Sequence, residues 1–206
     1  MAGVYRMTTW SSLHPDEATL IGVVWFKEPG AYNYTVPVGA NWVRAVAQGC
    51  GGQGDHWGGS GALARSRRMV TPGDNLKVQV GQVNTTSVLG DSWVERNDNS
   101  VICYADRGRG VGTAGLAANS TGDVTRDGAP GASNAGGLPP SDSADYAPLG
   151  FGGVSAQFSL SHASDYGGGG LVATGSDENG ITIIIGSYGA GTGLVVLEFF
   201  DTDPGY

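Results

Sequence analysis

Residues 34–54 read YTVPVGANWVRAVAQGCGGQG. Tyr32, Tyr34 and Val36 alternate with smaller or polar residues, the period of a strand with one buried face. Pro37-Val38-Gly39-Ala40 turns the chain, and WVRAVAQ (Trp42–Gln48) follows as a second strand. That strand runs directly into a glycine cluster. Each glycine costs backbone entropy on folding and adds nothing to a core. A chain that keeps them uses what glycine alone allows, positive φ or backbones packed where a Cβ would clash.

The same grammar extends in both directions. Downstream, Ala62–Val70 is strand-like, and Thr71-Pro72-Gly73-Asp74 has the residues of a type II turn. Leu76, Val78 and Val80 alternate with Lys77 and Gln79, a half-buried strand by period. Ser92–Glu95 and Val101–Ala105 are shorter candidates, and Ile181–Ser187 and Leu194–Phe200 are apolar runs of strand length. No stretch of useful length has helical period. Upstream, residues 1–29 form either an arm that docks on a neighbouring subunit or a first strand. That region holds a short helical turn at Pro15–Leu20, a strand-like run at Ile21–Phe26 and a turn at Glu28-Pro29-Gly30.

Glycine fills 37 of 206 positions, more than twice the average share of about 7%. It has no three-residue period, so collagen is excluded. The aromatic content and the apolar runs argue against a wholly unfolded chain. Between 107 and about 170, Gly, Ala, Ser, Asp and Pro dominate over a length beyond any ordinary loop. Extended glycine strands can lie side by side there and pair N–H with C=O because no Cβ keeps them apart. The expectation is an all-β, β-sandwich-like domain over 30–206, with a glycine-rich, polyglycine-II-like layered segment at about 107–170.

Charge divides the chain. Residues 1–126 hold eleven bases and ten acids, net +1, whereas from Asp127 onward there are nine acids and no base. Nucleic acid would be repelled by the second half and gain few phosphate contacts from the first. The basic knot Arg65, Arg67 and Arg68 lies in a strand-like run and reads as solvated positions or a subunit contact. Met1–Tyr5 lacks the opening of an export signal, and no apolar run reaches the length that spans a bilayer, so no membrane insertion is expected. Cys50 and Cys103 could form one disulfide, but two thiols in an unexported chain are more often reduced and buried.

Motifs for chemistry are missing where they would be needed. No GxxxxGK[ST] occurs, and no glycine cluster lies between a strand and a helix, so structural glycine is the better reading. His14, His56 and His162 are far apart, without H-x₃-H or C-x₂-C spacing, so no metal site is expected. No EF-hand loop and no GxSxG elbow are present. Asp142, Asp145, Asp165, Asp177 and Glu178 could supply a glycosidase pair, yet all lie in Gly/Ser/Pro contexts that read as solvated turns. The chain reads as a non-enzyme without a cofactor.

The run Tyr34–Val43 followed by Ala45–Gly54 resembles the opening of the glycine-rich domain of bacteriophage tail and tail-fibre proteins. Val70-Thr71-Pro72-Gly73-Asp74 with Leu76, Val78, Val80 and Gly81 is similar to that family's next signature. Ser120-Thr121-Gly122-Asp123-Val124 with Gly128 and Gly131 resembles a further one, and Gly189–Glu198 its closing strand. The likeness covers roughly 31–200, although the glycine runs here are interrupted by Asp, Ser and Pro. It implies a virion component assembled in the host cytoplasm, trimeric or attached to a trimeric fibre, whose exposed loops meet the host surface.

Three functions follow as expectations. One is a tail-fibre or tail-tip protein that binds a host receptor. The others are a purely architectural virion protein (head decoration or fibre anchor) and a surface-polysaccharide hydrolase. Flat rings with polar handles on glycine turns suit recognition. The candidate receptor-binding residues are Tyr146, Tyr166 and Tyr188, with Asp142, Asp145 and Asp165 around them, and His56 and Trp57 between two glycine clusters. Each ring could instead pack between layers or at a subunit interface. The expected partners are other virion proteins, two further copies in a homotrimer, and a neutral glycan or outer-membrane protein loop. The trimer rests on the small core that so much glycine leaves, with Trp42, Trp57 and Trp93 gaining burial around an axis.

Overall fold

The computed structural model describes residues 4–5, 18–52, 59–83, 88–109, 113–128, 171–176, 182–188 and 191–205. Twelve strands are described. They are β1 (Val4–Tyr5), β2 (Leu20–Phe26), β3 (Gly30–Thr35), β4 (Trp42–Gln48), β5 (Leu63–Met69), β6 (Asn75–Val80), β7 (Ser92–Arg96), β8 (Val101–Ala105), β9 (Val124–Arg126), β10 (Leu171–Ser176), β11 (Thr182–Tyr188) and β12 (Leu194–Phe200). Two short 3₁₀ turns, Val88–Gly90 and Ala117–Asn119, are the only helical elements among the described residues. The all-β, sandwich-like architecture read from periodicity is the architecture observed.

Two antiparallel sheets face each other. One has the order β1-β2-β12-β4-β5-β9 and the other β3-β6-β7-β8, while β10 and β11 pair with one another. Residues Leu20–Phe26 are therefore a strand of the main sheet, paired along β12. Of the Pro15–Leu20 stretch only 18–20 are described, and Leu20 opens β2. Between the sheets lies a core of Val24, Phe26, Val43, Leu76, Val78, Val80, Val94, Ile102, Val195, Leu197 and Phe199 with small residues among them. Tyr34 stacks on Phe199 at 5.5 Å between ring centres. The core is thus larger than the glycine content suggests, and Trp42 and Trp93 are already half-buried within one chain.

The inward positions shrink along the strands. On β12 they run Phe199, Leu197, Val195 and then Gly193; on β4 they run Val43, Ala45, Ala47 and then Gly49. Leu194 pairs with Gln48 and Phe200 with Trp42, so both series diminish toward the same end of the sandwich. Stacked sheets stand about 10 Å apart because side chains fill the gap. A gap filled by phenylalanine at one end and by nothing at the other is a wedge. The wide end is closed by turns at Pro37–Ala40, Thr71–Asp74 and Arg96–Ser100. Gly73 has φ +91° and Asp74 N–H donates to the Thr71 carbonyl at 3.0 Å, the type II turn that its sequence predicts.

The basic knot on β5 differs from expectation. Arg65 is buried, Arg67 donates to Asp203 at 2.7 Å, and Arg68 donates to Asp123 at 2.7 Å. Strand alternation could not reveal these contacts, because both acids come from distant parts of the chain.

The wedge makes a testable statement about stability. Leu197→Ala, at a fully buried inward position, should destabilise the protein by about 2–5 kcal/mol. Val38→Ser, on a turn residue 92% exposed, should change it by less than about 0.5 kcal/mol. Urea denaturation of both variants checks the contrast, and similar costs for the two would refute the wedge core.

Candidate functional site

Where the wedge closes, the two sheets bond to each other through their backbones. Cys50 N–H, beyond β4, donates to the Gly90 carbonyl ahead of β7 at 3.1 Å. Gly193 N–H, ahead of β12, donates to Gly81 beyond β6 at 2.9 Å, and Ala62 N–H, ahead of β5, donates to Asp106 beyond β8 at 2.8 Å. Side chains would forbid this approach. A Cβ on Gly49, Gly61, Gly81, Gly108 or Gly128 would come closer than 3.0 Å to a neighbouring backbone atom.

Three of these segments bond mutually. Gly52 N–H donates to Gly59 at 2.8 Å, Gly59 N–H to Arg109 at 3.3 Å, and Gly108 N–H to Cys50 at 2.8 Å. Three strands that each bond both others cannot share one sheet, since a strand in a sheet has neighbours only to left and right. The packing here is three-dimensional. Segment 49–52 also donates to Ala62 and Gly191, and Gly115 and Gly128 extend the array through Ser60 and Gly115 carbonyls. Layering was expected over 107–170. Residues 107–109 and 113–128 do join this array, but its other members come from 49–52, 59–62, 81, 90 and 191–193, and residues 129–170 lie outside those described.

Buried carboxylates finish the array where backbone partners run out. Asp91, 1% exposed, accepts from the Tyr104 hydroxyl, from Arg107 N–H at 3.0 Å and from the Arg107 guanidinium at 3.2 Å. Asp106, also buried, takes both nitrogens of Arg109 at 2.9 Å, Leu116 N–H at 2.9 Å and Asn119 Nδ2 at 3.1 Å. Each acid meets a fixed cation and backbone donors, the condition under which a carboxylate can be buried. Burial and the Asp91 carboxylate together hold the Tyr104 phenol well above its ordinary range. Asp123 fills the same role at the β5 edge, accepting from Arg67 N–H at 2.9 Å and from Arg68. These acids were not among the sequence candidates. Asp106-Arg107-Gly108-Arg109, a charged run between an apolar strand and glycine, was the available signal.

At this end backbone bonds hold the residues that flank four further stretches of chain. Gly52 to Gly59 spans 53–58, Gln82 N–H to the Leu89 carbonyl (2.8 Å) spans 84–87, and Arg109 N–H to Thr113 (2.7 Å) spans 110–112. The fourth stretch leaves after Gly128 and returns at Gly191, each held by a glycine of the array. His56 and Trp57 belong to the first stretch and lie outside the described residues, as do Tyr146, Tyr166, Asp142, Asp145 and Asp165 in the fourth. Tyr188 is the last residue of β11, described in its backbone. The described structure therefore shows where these candidates are anchored and does not bring them together.

The cysteines sit on the two sides of this junction. Both thiols are free and buried. Cys50 Sγ donates to the Gln82 carbonyl at 3.4 Å and Cys103 Sγ to Ala64 at 3.1 Å. No group of acids, histidines and cysteines that could hold a metal occurs among the described residues. Burial, with the Asp91 charge next in effect, pushes the Cys50 thiol up to about 12, and burial pushes Cys103 up to about 12. No family model matches the chain, and no curated protein matches it.

The raised thiols give a pH dependence of known sign. An unfolded thiol ionises near 9.0, while the folded ones hold their protons to about 12. Their contribution is complete below about pH 9 and is lost as the pH rises toward 12. Unfolding midpoints in urea should fall between pH 9 and 11. The fall should be shallower in the Cys50→Ser/Cys103→Ser double variant, with Tyr104 and Tyr34, both raised by burial, contributing to the remaining slope. An unchanged slope would show that the thiols are not shielded.

Proposed function

We propose that this chain is a bacteriophage virion protein, a tail-fibre or tail-tip component that recognises the host surface through loops carried on its glycine-bonded end. One observation carries the reading: the residues that flank four separate stretches of chain meet at the same end, and at Gly52, Gly59 and Gly128 the neighbouring backbone leaves no room for a side chain. Loops fixed at their bases lose little further entropy on binding, the condition under which a small contact gives useful affinity. The likeness of Tyr34–Gly54 and of the later signatures to phage tail proteins supports the same reading. So does the sequence, which puts His56 and Trp57 between Gly52 and Gly59, and Tyr146 and Tyr166 between Gly128 and Gly191.

The acidic second half directs the choice of ligand. With no lysine or arginine beyond Arg126, an anionic polysaccharide would be repelled, so a neutral glycan or a protein loop is the favoured target. The architectural reading has its own support. Val38 is 92% exposed and Met69 64%, both at the turn end, where an attachment surface would place apolar groups. The two readings assign opposite ends of the same molecule, and a fibre component uses both. We further propose a homotrimer in the particle.

Tyr146→Ala and Tyr166→Ala separate the readings. The recognition role predicts that each variant folds and assembles into particles, and that adsorption to host cells drops at least tenfold. Unchanged adsorption would leave the architectural role. Light scattering of the purified protein at micromolar concentration checks the trimer; a monomer mass would exclude it under those conditions.

A further inference from the structure

The outer face of the six-stranded sheet is apolar where a two-layer sandwich would meet water. Read in register, the row nearest the glycine end holds Leu194, Gln48 and Leu63, and the next holds Trp25, Val196, Val46 and Arg65. Leu194, Val196, Val46 and Leu63 are at most 3% exposed, and Gln48 is fully buried. Val23 and Trp25 pack against this cluster. The principal contacts between described layers all use the other face, joining β4 and β5 to β8, β4 and β12 to β7, and β12 to β6.

Gln48 shows how closely this face is covered. Its Nε2 donates to the Gly61 carbonyl at 2.7 Å, and its whole side chain is shut off from water.

One described element has the complementary deficiency. β10 and β11 pair only with each other, yet they carry Leu171, Val172, Ile183, Ile184 and Ile185. A lone two-stranded hairpin is marginal in water and needs a surface to pack on. Residues 189–193 alone separate Tyr188, ending β11, from Leu194, opening β12. Such a link reaches roughly 17 Å, enough to step between layers about 10 Å apart. β12 lies inside the sheet, Leu194 begins the apolar row, and the inner face is already taken.

We propose that the β10–β11 hairpin folds back over the outer face of the six-stranded sheet as a third layer, covering Leu194, Val196, Val46 and Leu63. This goes beyond the recognition reading and stands without it. The sandwich is then glycine-bonded at one end and three layers deep beside it.

A thiol introduced by Val46→Cys reports on the cover. In the full-length folded protein it should resist iodoacetamide as Cys103 does, read by peptide mass spectrometry. Ile183 and Ile184 are neighbours on opposite faces of the hairpin, so Ile183→Asp and Ile184→Asp in that background charge each face in turn. One of the two should raise labelling at position 46 at least tenfold while Cys103, in the inner core, stays protected. If both aspartates open the inner core as well, Ile183→Ala and Ile184→Ala are read in the same way, and position 46 must still gain labelling over Cys103. Labelling of position 46 in the parent, equal labelling of the two sites in the alanine variants, or protection in every variant overturns the proposal. Protection that disappears on dilution also overturns it, by assigning the cover to a neighbouring copy.

Discussion

Two stacked β-sheets are ordinarily held about 10 Å apart by the side chains between them, but in this protein they also bond to each other through their backbones. Both conditions hold only if the spacing changes along the strands. The inward series Phe199, Leu197, Val195, Gly193 and Val43, Ala45, Ala47, Gly49 accomplish that change in steps of one residue pair. At the wide end, stability comes from apolar burial. At the narrow end no apolar surface is available, and backbone hydrogen bonds replace it. Glycine at 49, 61, 81, 108 and 128 follows from that geometry, because the space for a Cβ is occupied by another strand.

Such an end carries a specific risk. Removing side chains brings many peptide groups out of water, and each unpaired one is costly. The three-way bonding of 50–52, 59 and 108–109 lets one segment serve several neighbours. Asp91, Asp106 and Asp123 take donors that this array leaves over, and Arg107, Arg109 and Arg68 neutralise them. The arginines of the first 126 residues are thus committed largely to holding the fold.

Much of the fold was legible. Alternation placed β3, β4 and β6, turn chemistry placed Thr71–Asp74, and Leu194–Phe200 was recognisable as a closing strand by its apolar run. The glycine clusters announced close backbone packing, but not which segments would meet. Gly52 and Gly59 are near in sequence and Gly51 and Gly191 are not, and a glycine has no side chain to signal its partner. Composition therefore assigned the layering to 107–170, where glycine is dense, while the described array draws as much on 49–62 and 191–193. Arg65 differs for a related reason: the sequence suggests solvated positions or a subunit contact for Arg65, Arg67 and Arg68, and nothing in the period of β5 signals that Arg65 is buried. Of the candidate receptor-binding residues, His56, Trp57, Tyr146 and Tyr166 lie outside the described residues, and nothing local in the sequence joins Tyr146 to Tyr166.

Dividing the molecule into a side-chain end and a backbone end has a functional consequence. A side-chain core transmits a substitution to its neighbours, because packing there is close and volume-dependent. In the glycine array few side chains are available to repack, and its geometry is set mainly by backbone hydrogen bonds, completed by Asp91 and Asp106. Loops grafted on such a base can change sequence freely without disturbing what holds them, provided that Gly52, Gly59, Gly128 and Gly191 remain at their bases. The abundance of glycine, costly for folding, is then the condition that lets the two sheets close on each other through their backbones.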